Sequence, residues 1–95
     1  MIYLKPPNFV YHNHDVEKLY DMETNYTGSS KTKFADLVTR ILSAAMQTGY
    51  LRNVVINSHG YPGGIRIGDE SIIYEDLARM VVLRGRVKNI WLTTC

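Results

Sequence analysis

The sequence predicts an α/β domain with a mostly parallel sheet flanked by helices, and three observations lead to that class. Two apolar runs, Val54–Ile56 and Ile90–Leu92, lie in predicted strands 53–57 and 87–93 and have the continuous hydrophobicity of strands covered on both faces. A helical pattern lies between them, as a crossover between parallel strands requires. A second amphipathic helix precedes the first strand. The expected order is helix, strand, hairpin, helix, strand.

The N-terminal segment contains two short apolar pieces, Ile2–Leu4 and Phe9–Tyr11, which we expect to form one or two short strands. Pro6 and Pro7 lie between them. Because proline lacks a backbone N–H and restricts the residue before it, a central strand is not expected here. Residues 25–31 are rich in Thr, Gly and Ser, which predicts an exposed loop.

Two helices are predicted ahead of the first long strand. Asp15 can cap a short helix over 16–22. The clearest helix covers 34–45, where apolar residues at i, i+3, i+4, i+7, i+8 and i+11 form one stripe. Gly49 stands where a glycine that terminates a helix belongs.

A small hairpin and a third helix are predicted between the two long strands. Residues 65–67 and 71–73 flank a Gly-Asp-Glu turn, which is typical of a β-hairpin. The helix follows over 74–84, with Gly85 as its terminator. Its predicted apolar face consists of Leu77, Met80, Val81 and Arg84.

Composition and charge indicate one small domain of 95 residues with a net charge of +2. The basic residues are scattered, so no nucleic-acid partner is expected. A single cysteine excludes an intrachain disulfide and fits a reducing compartment. Because no signal peptide and no apolar stretch of about 20 residues are evident, we expect no membrane partner and a protein that is cytoplasmic, or secreted by a route without a signal peptide. No cofactor is indicated.

Each long strand ends in a reactive side chain. His59 and Cys95 are 36 positions apart (95 − 59), and one hairpin and one helix fill that interval. The two strands are therefore neighbours or separated by one more, and their carboxyl ends face the same crevice, where ligands bind in open α/β sheets. A nearby imidazole can take the proton of a thiol, and the N–H of Gly60 could point at a developing oxyanion.

The order of apolar strand, Ser58-His59-Gly60, hairpin, helix, apolar strand and Thr94-Cys95 resembles the core of clan CD cysteine peptidases, which have the caspase-like fold. The sequence over 58–68 is more similar to the bacterial members of this family, which include self-processing toxin domains, than to animal caspases. The resemblance covers about residues 52–95. It implies a three-layer sandwich, a peptide or protein substrate, His59 as general acid/base, Cys95 as nucleophile, and Gly60 with the Cys95 amide as oxyanion donors. Ser58 and Tyr61 are weaker candidates for the substrate cleft.

Two other interpretations stay open. His59-Gly60-Tyr61-Pro62-Gly63-Gly64 also resembles the His-Gly-x-Pro-Gly-Gly oxyanion turn of some α/β-hydrolase peptidases, although the chain contains no Gly-x-Ser-x-Gly elbow. The chain could instead be a non-catalytic or degenerate α/β interaction domain. Because Cys95 ends a predicted central strand, we expect a single domain that is the front part of a larger one. An exposed sheet edge would then favour a homodimer or a second fragment as partner.

In the stretch His12-Asn13-His14, the two histidines have the i, i+2 spacing that places two side chains on one face of a strand. A metal site needs more ligands than these, and only Asp15 is near in sequence. We therefore predict no metal site, and surface polar residues beside a turn.

Overall fold

The computed structural model describes residues 4–94. Within this range the chain forms seven strands, one α-helix and one 3₁₀ helix. The strands are β1 Asn8–His12, β2 Thr24–Thr27, β3 Leu51–Ser58, β4 Gly60–Tyr61, β5 Gly64–Ile67, β6 Glu70–Ile73 and β7 Val87–Thr94, and the helices are α1 Phe34–Thr48 and the 3₁₀ helix Tyr74–Leu83. The predicted strand at Ile2–Leu4 falls largely outside the described residues.

The main sheet has the spatial order β2-β1-β3-β7, and each neighbouring pair is parallel. A small antiparallel sheet of β4, β5 and β6 follows β3 in the chain. The predicted α/β class with a parallel sheet and a hairpin after His59-Gly60 is therefore confirmed. The chain passes from β1 to β2 on one side and later to β3 on the other. This reversal places a crevice at the carboxyl ends of β1 and β3.

One face of the sheet packs against α1. Alternate residues of β1 and β3 point to this face, and they join the apolar stripe of α1 in one core. The principal members are Phe9, Tyr11, Val54, Ile56, Phe34, Leu37 and Ile41, and each is buried. Gly49 ends α1 at a positive φ of 88°, as the sequence predicts. The hairpin is joined to the start of the helix, because the Phe34 N–H donates to Glu70 Oε1 at 3.3 Å.

The opposite face is covered only partly, by the irregular segment 13–23. The helix predicted over 16–22 is absent, so that prediction is wrong. Seven residues are too few for an isolated helix to be stable in water. Tertiary contacts determine the segment instead: Asn57 Nδ2 donates to the Glu17 carbonyl at 3.0 Å, and the ring of Tyr20 stacks on His12.

Two further predictions for the N-terminal half are wrong, one of them in part. The exposed loop predicted over 25–31 begins with strand residues: 25–27 belong to β2, where Tyr26 packs on Tyr11 with a centroid separation of 5.4 Å, and only 28–31 are irregular. β1 is a central strand, although the sequence argued against one near the prolines. It begins at Asn8, immediately after Pro7, so neither proline occupies a position that must donate to the ladder.

The helix predicted over 74–84 is a 3₁₀ helix, and its buried face differs from the expected one. Met80 and Leu83 are buried, whereas Val81 is 63% exposed. A 3₁₀ helix has three residues per turn, so Leu77, Met80 and Leu83 share a side and Val81 is rotated away from it. The termination at Gly85 is confirmed by its positive φ of 82°.

Candidate functional site

The two strands that precede His59 and Cys95 in the sequence are direct neighbours. β3 and β7 are parallel, and their register pairs Asn57 with Thr93 and Ser58 with Thr94. His59 follows Ser58 in the sequence and Cys95 follows Thr94. Cys95 itself lies outside the described residues, so its role as nucleophile stays a prediction.

His59 is held by the segment that follows β1. Its Nε2 lies 3.0 Å from the backbone oxygen of Asp15 and 3.8 Å from Asp15 Oδ2. The His59 side chain is 45% exposed, so its ring is open to solvent at the carboxyl edge of the sheet. Because 44 positions separate these two residues, their contact is not evident from the sequence.

The contact with Asp15 determines which ring nitrogen of His59 is free. A carbonyl oxygen only accepts hydrogen bonds, so Nε2 must carry the proton that is donated to it. In the neutral imidazole Nδ1 then holds the lone pair. Nδ1 is therefore the atom of this ring that can accept a proton from a reacting group.

Asn13 holds Asp15 in place and joins it to the hairpin. The Asn13 side chain is buried and accepts from the Tyr11 hydroxyl at 2.5 Å and from the Gly68 N–H at 2.7 Å. Its Nδ2 donates to Asp15 Oδ1 at 2.7 Å and to the Gly68 carbonyl at 3.1 Å. Every polar atom of this amide is thus used, and the hairpin turn, the end of β1 and the support of His59 form one network.

Gly60 lies at a position where its N–H is free of the neighbouring strand β5. The Arg66 N–H donates to the His59 carbonyl at 2.9 Å, and Gly60 pairs with Ile65. Hydrogen-bonded and non-hydrogen-bonded pairs alternate in an antiparallel ladder, so the Gly60–Ile65 pair is of the second kind. The Gly60 N–H therefore points away from β5, as an oxyanion donor requires.

The two weaker cleft candidates differ in exposure. Tyr61 is half-buried beside the hairpin turn. Ser58 is fully buried, and its Oγ has no hydrogen-bond partner among the described residues. Their assignment to a substrate cleft stays a prediction.

The prediction that His12 and its neighbours are surface residues is wrong for two of the three. His12 and Asn13 are buried, and only His14 is exposed, with its Nε2 3.1 Å from Asp69 Oδ1. His12 is the last residue of the central strand β1, where the stacked ring of Tyr20 covers it. Burial lowers the pKa of His12 below its ordinary value, and the nearby charge of Lys18 adds to that effect.

An apolar cavity lies on the sheet face opposite α1. It measures about 320 Å³ and lies between strands β3 and β7 and the 13–23 segment. The residues that line it are Leu4, Leu19, Tyr20, Met22, Val55, Trp91 and Thr93. Among the described residues that line it, none carries a carboxylate, an amine, an imidazole or a thiol. It reaches the carboxyl edge of the sheet at Thr93, two residues before Cys95 in the sequence.

Comparison with known proteins adds no relative to this description: no family model, curated protein or solved structure matches the chain. In the part of the chain from Leu4 to Thr94, no group of three or more His, Asp or Glu side chains could hold a metal ion. Over the same residues, no helix has both the length and the apolar character needed to cross a membrane.

Proposed function

We propose that the chain is a cysteine endopeptidase of the caspase-like type, or the part of one that carries its catalytic pair, with His59 as general acid/base and Cys95 as nucleophile. The observation that carries the proposal is the register of β3 and β7. Ser58 and Thr94 are paired on adjacent parallel strands, and in the sequence His59 directly follows the first and Cys95 the second.

The chemistry follows from the free nitrogen of His59. Nδ1 takes the proton of the Cys95 thiol, and the thiolate attacks the carbonyl carbon of a peptide bond. The Gly60 N–H is available to stabilise the resulting oxyanion. The imidazolium returns the proton to the leaving amine as the C–N bond breaks. Water, activated by the same nitrogen, then hydrolyses the thioester and releases the thiol.

Asp15 supports His59 in this scheme. Its carbonyl accepts the Nε2–H and fixes the tautomer and the ring orientation, and its carboxylate lies 3.8 Å from the same nitrogen. The β4–β5–β6 hairpin also supports the caspase-like assignment over an α/β-hydrolase fragment. His59 to Gly64 turn directly into that hairpin, as the resemblance to clan CD implies.

The rate of Cys95 alkylation tests the pair without a known substrate. Iodoacetamide reacts with the thiolate, so the wild-type rate in mildly acidic buffer should exceed that of His59→Ala by about tenfold or more. His14→Ala is the matched control, because His14 is an exposed histidine that contacts Asp69 instead of the site. Equal rates for wild type and His59→Ala from acidic to mildly alkaline pH would rule out the dyad.

A second candidate, a non-catalytic interaction domain, is favoured by one observation. Ile90, Trp91 and Leu92 of β7 are each between 39% and 48% exposed, which is unusual for three consecutive large apolar residues in a strand. Cleavage of a protein substrate that is abolished by Cys95→Ser would exclude this candidate as the whole function. A chain that never cleaves but forms a stable complex would support it.

A further inference from the structure

Asn53 is a buried amide near the middle of the parallel sheet. It lies on β3 and is 3% exposed, and its side chain points to the face opposite α1, because the next residue, Val54, belongs to the core on the α1 face. Its register partners are Asn8 on β1 and Asn89 on β7, so three asparagines stand level on three adjacent strands. Parallel strands are normally apolar on both faces, and asparagine is depleted in strands, so strand packing does not explain this row.

The Asn53 side chain uses all of its hydrogen-bonding capacity. Its Nδ2 donates to Asn8 Oδ1 at 2.9 Å and to the Lys5 carbonyl at 3.0 Å. Its Oδ1 accepts from Asn89 Nδ2 at 3.2 Å and from Trp91 Nε1 at 2.9 Å. An amide offers two donor hydrogens and two acceptor sites, so all four are occupied. Both acceptor bonds come from β7, so this amide joins that strand to the rest of the sheet through side chains.

Apolar contacts select the observed register of β7 only weakly. On the α1 face, Ile90 and Leu92 form two apolar pairs with β3, but they are 39% and 40% exposed. A shift of β7 by two residues keeps every side chain on its own face. Shifted one way, Leu92 would lie opposite Val54. Shifted the other way, Ile90 would lie opposite Ile56, so an apolar pair remains in either case and the difference is one half-exposed pair.

The amide bonds, in contrast, fit one register. A shift of two residues moves Asn89 and Trp91 by about 7 Å along the strand, beyond hydrogen-bond reach of Asn53 Oδ1. A buried acceptor that loses its partners is costly, so the network penalises both shifted registers. A polar side chain in an apolar interface is known to specify register in this way in other protein architectures.

We propose that Asn53 is a positioning residue: its bonds to β7 fix the level of that strand against β3, and thereby the level of Cys95 relative to His59. The register role stands by itself, whereas its consequence for catalysis rests on the proposed function. In the observed register Thr94 is level with Ser58, and these residues precede Cys95 and His59 in the sequence. A two-residue shift would separate the two levels by about 7 Å, whereas proton transfer requires heavy atoms within about 2.6–3.2 Å or one bridging water.

Disulfide crosslinking in the full chain measures the register directly. Val54→Cys with Ile90→Cys places two thiols on register partners, whose Cα atoms are about 4.8 Å apart in a sheet and within disulfide range. Val54→Cys with Leu92→Cys, or with Lys88→Cys, places them two residues out of register, about 8 Å apart and outside that range. Each chain also carries Cys95→Ser, so that no third thiol competes. Oxidation should crosslink the first pair at least about tenfold faster than the other two.

Asn53→Leu removes the amide and keeps the size of the side chain. In this variant the out-of-register pairs should crosslink within about threefold of the in-register pair. Ile41→Val is the matched control, because it removes buried volume from α1 without touching the network, and it should keep the wild-type ratio. Should Asn53→Leu fail to fold, Trp91→Phe removes one of the two acceptor bonds from a ring that is 48% exposed, and it should raise out-of-register crosslinking by about twofold or more. Crosslinking that stays confined to the in-register pair, in whichever of the two variants folds, would overturn the proposal.

The rate of Cys95 alkylation by iodoacetamide measures the catalytic consequence, in chains that retain this cysteine. Asn53→Leu should lower the rate in mildly acidic buffer severalfold, toward that of His59→Ala, while Ile41→Val should leave it unchanged. A loosened register with a wild-type alkylation rate would overturn the positioning role. If His59→Ala alone did not slow alkylation, the proposed dyad would fail, and the crosslinking result would still decide whether Asn53 fixes the register.

Discussion

Replacing Asn13 by alanine should be among the most destabilising single substitutions in this chain. The side chain is fully buried, and its four hydrogen bonds join Tyr11, Gly68 and Asp15. Alanine leaves the Tyr11 hydroxyl and both backbone groups of Gly68 without this partner in a site that water does not reach. Only the Asp15 carboxylate can recover its bond from solvent.

The magnitude follows from those orphaned groups. A buried polar group that loses its partner costs about 1–3 kcal/mol, so three such groups predict a loss of roughly 3–9 kcal/mol in the free energy of unfolding. A domain of this size has only about 5–15 kcal/mol in total. At about 4–8 °C per kcal/mol, the melting temperature should fall by at least roughly 12 °C.

Urea denaturation followed by far-UV circular dichroism measures the change. Asn25→Ala is the matched control, because Asn25 also makes three side-chain hydrogen bonds, but it makes them on the exposed surface. Water replaces those bonds, so the control should lose less than about 1 kcal/mol. If the unfolding free energies of the Asn13 and Asn25 variants fall by the same amount, the network does not hold the hairpin to β1.

Three further predictions concern the same region. Burial lowers the pKa of His12, so the contribution of this residue to stability is complete above about pH 6.5 and is lost as pH falls below that value. His12→Phe keeps the stacked ring but does not titrate. It should therefore flatten the pH dependence of the urea midpoint below about pH 6.5. Burial raises the pKa of Tyr11 to about 12. The free energy of unfolding should therefore decline by up to about 2–3 kcal/mol between pH 10, near the ordinary pKa of tyrosine, and pH 12. Tyr11→Phe should remove that decline. Gly68→Ala should lower the free energy of unfolding by at least about 1 kcal/mol more than Gly49→Ala does. Both residues have positive φ, but only at Gly68 would a Cβ meet the Thr32 backbone. Equal losses in the two variants would refute this close approach.

The elements that the sequence predicted correctly are those whose pattern is local. The α1 stripe repeats at helical spacing, β3 is a continuous β-branched run, and the hairpin has glycine at its turn. β2 and the 13–23 segment could not be obtained in this way. β2 is a strand because β1 offers it a parallel partner and Tyr26 packs on Tyr11, and neither condition is visible in its own four residues.

The candidate site shows the same division. The ends of β3 and β7 could be placed together from the order of elements, and the register agrees with that placement. The supports of His59 were missed, because the Asp15 contact spans 44 positions and the Asn13 contacts to Gly68 span 55. A signal was present: Asn13-His14-Asp15 follow an apolar strand directly, and polar residues at the carboxyl end of a strand are candidates for a site in an α/β sheet.

The position of His59 depends on two loops that the sheet alone does not fix. Its Nε2 is bonded to Asp15, Asp15 is bonded to Asn13, and Asn13 is bonded on both sides to the Gly68 turn. A histidine that only ended a strand would need none of these bonds, because its backbone would be satisfied by the ladder. The chain instead uses a fully buried amide, which is costly unless every partner is present, to join the imidazole support to the hairpin that contains Gly60 at its start. An apolar residue at position 13 would leave the Gly68 turn and the Asp15 carboxylate without these partners. The same amide therefore fixes both the hairpin turn and the support of the His59 ring, so a substitution there should disturb the fold and the ring orientation together.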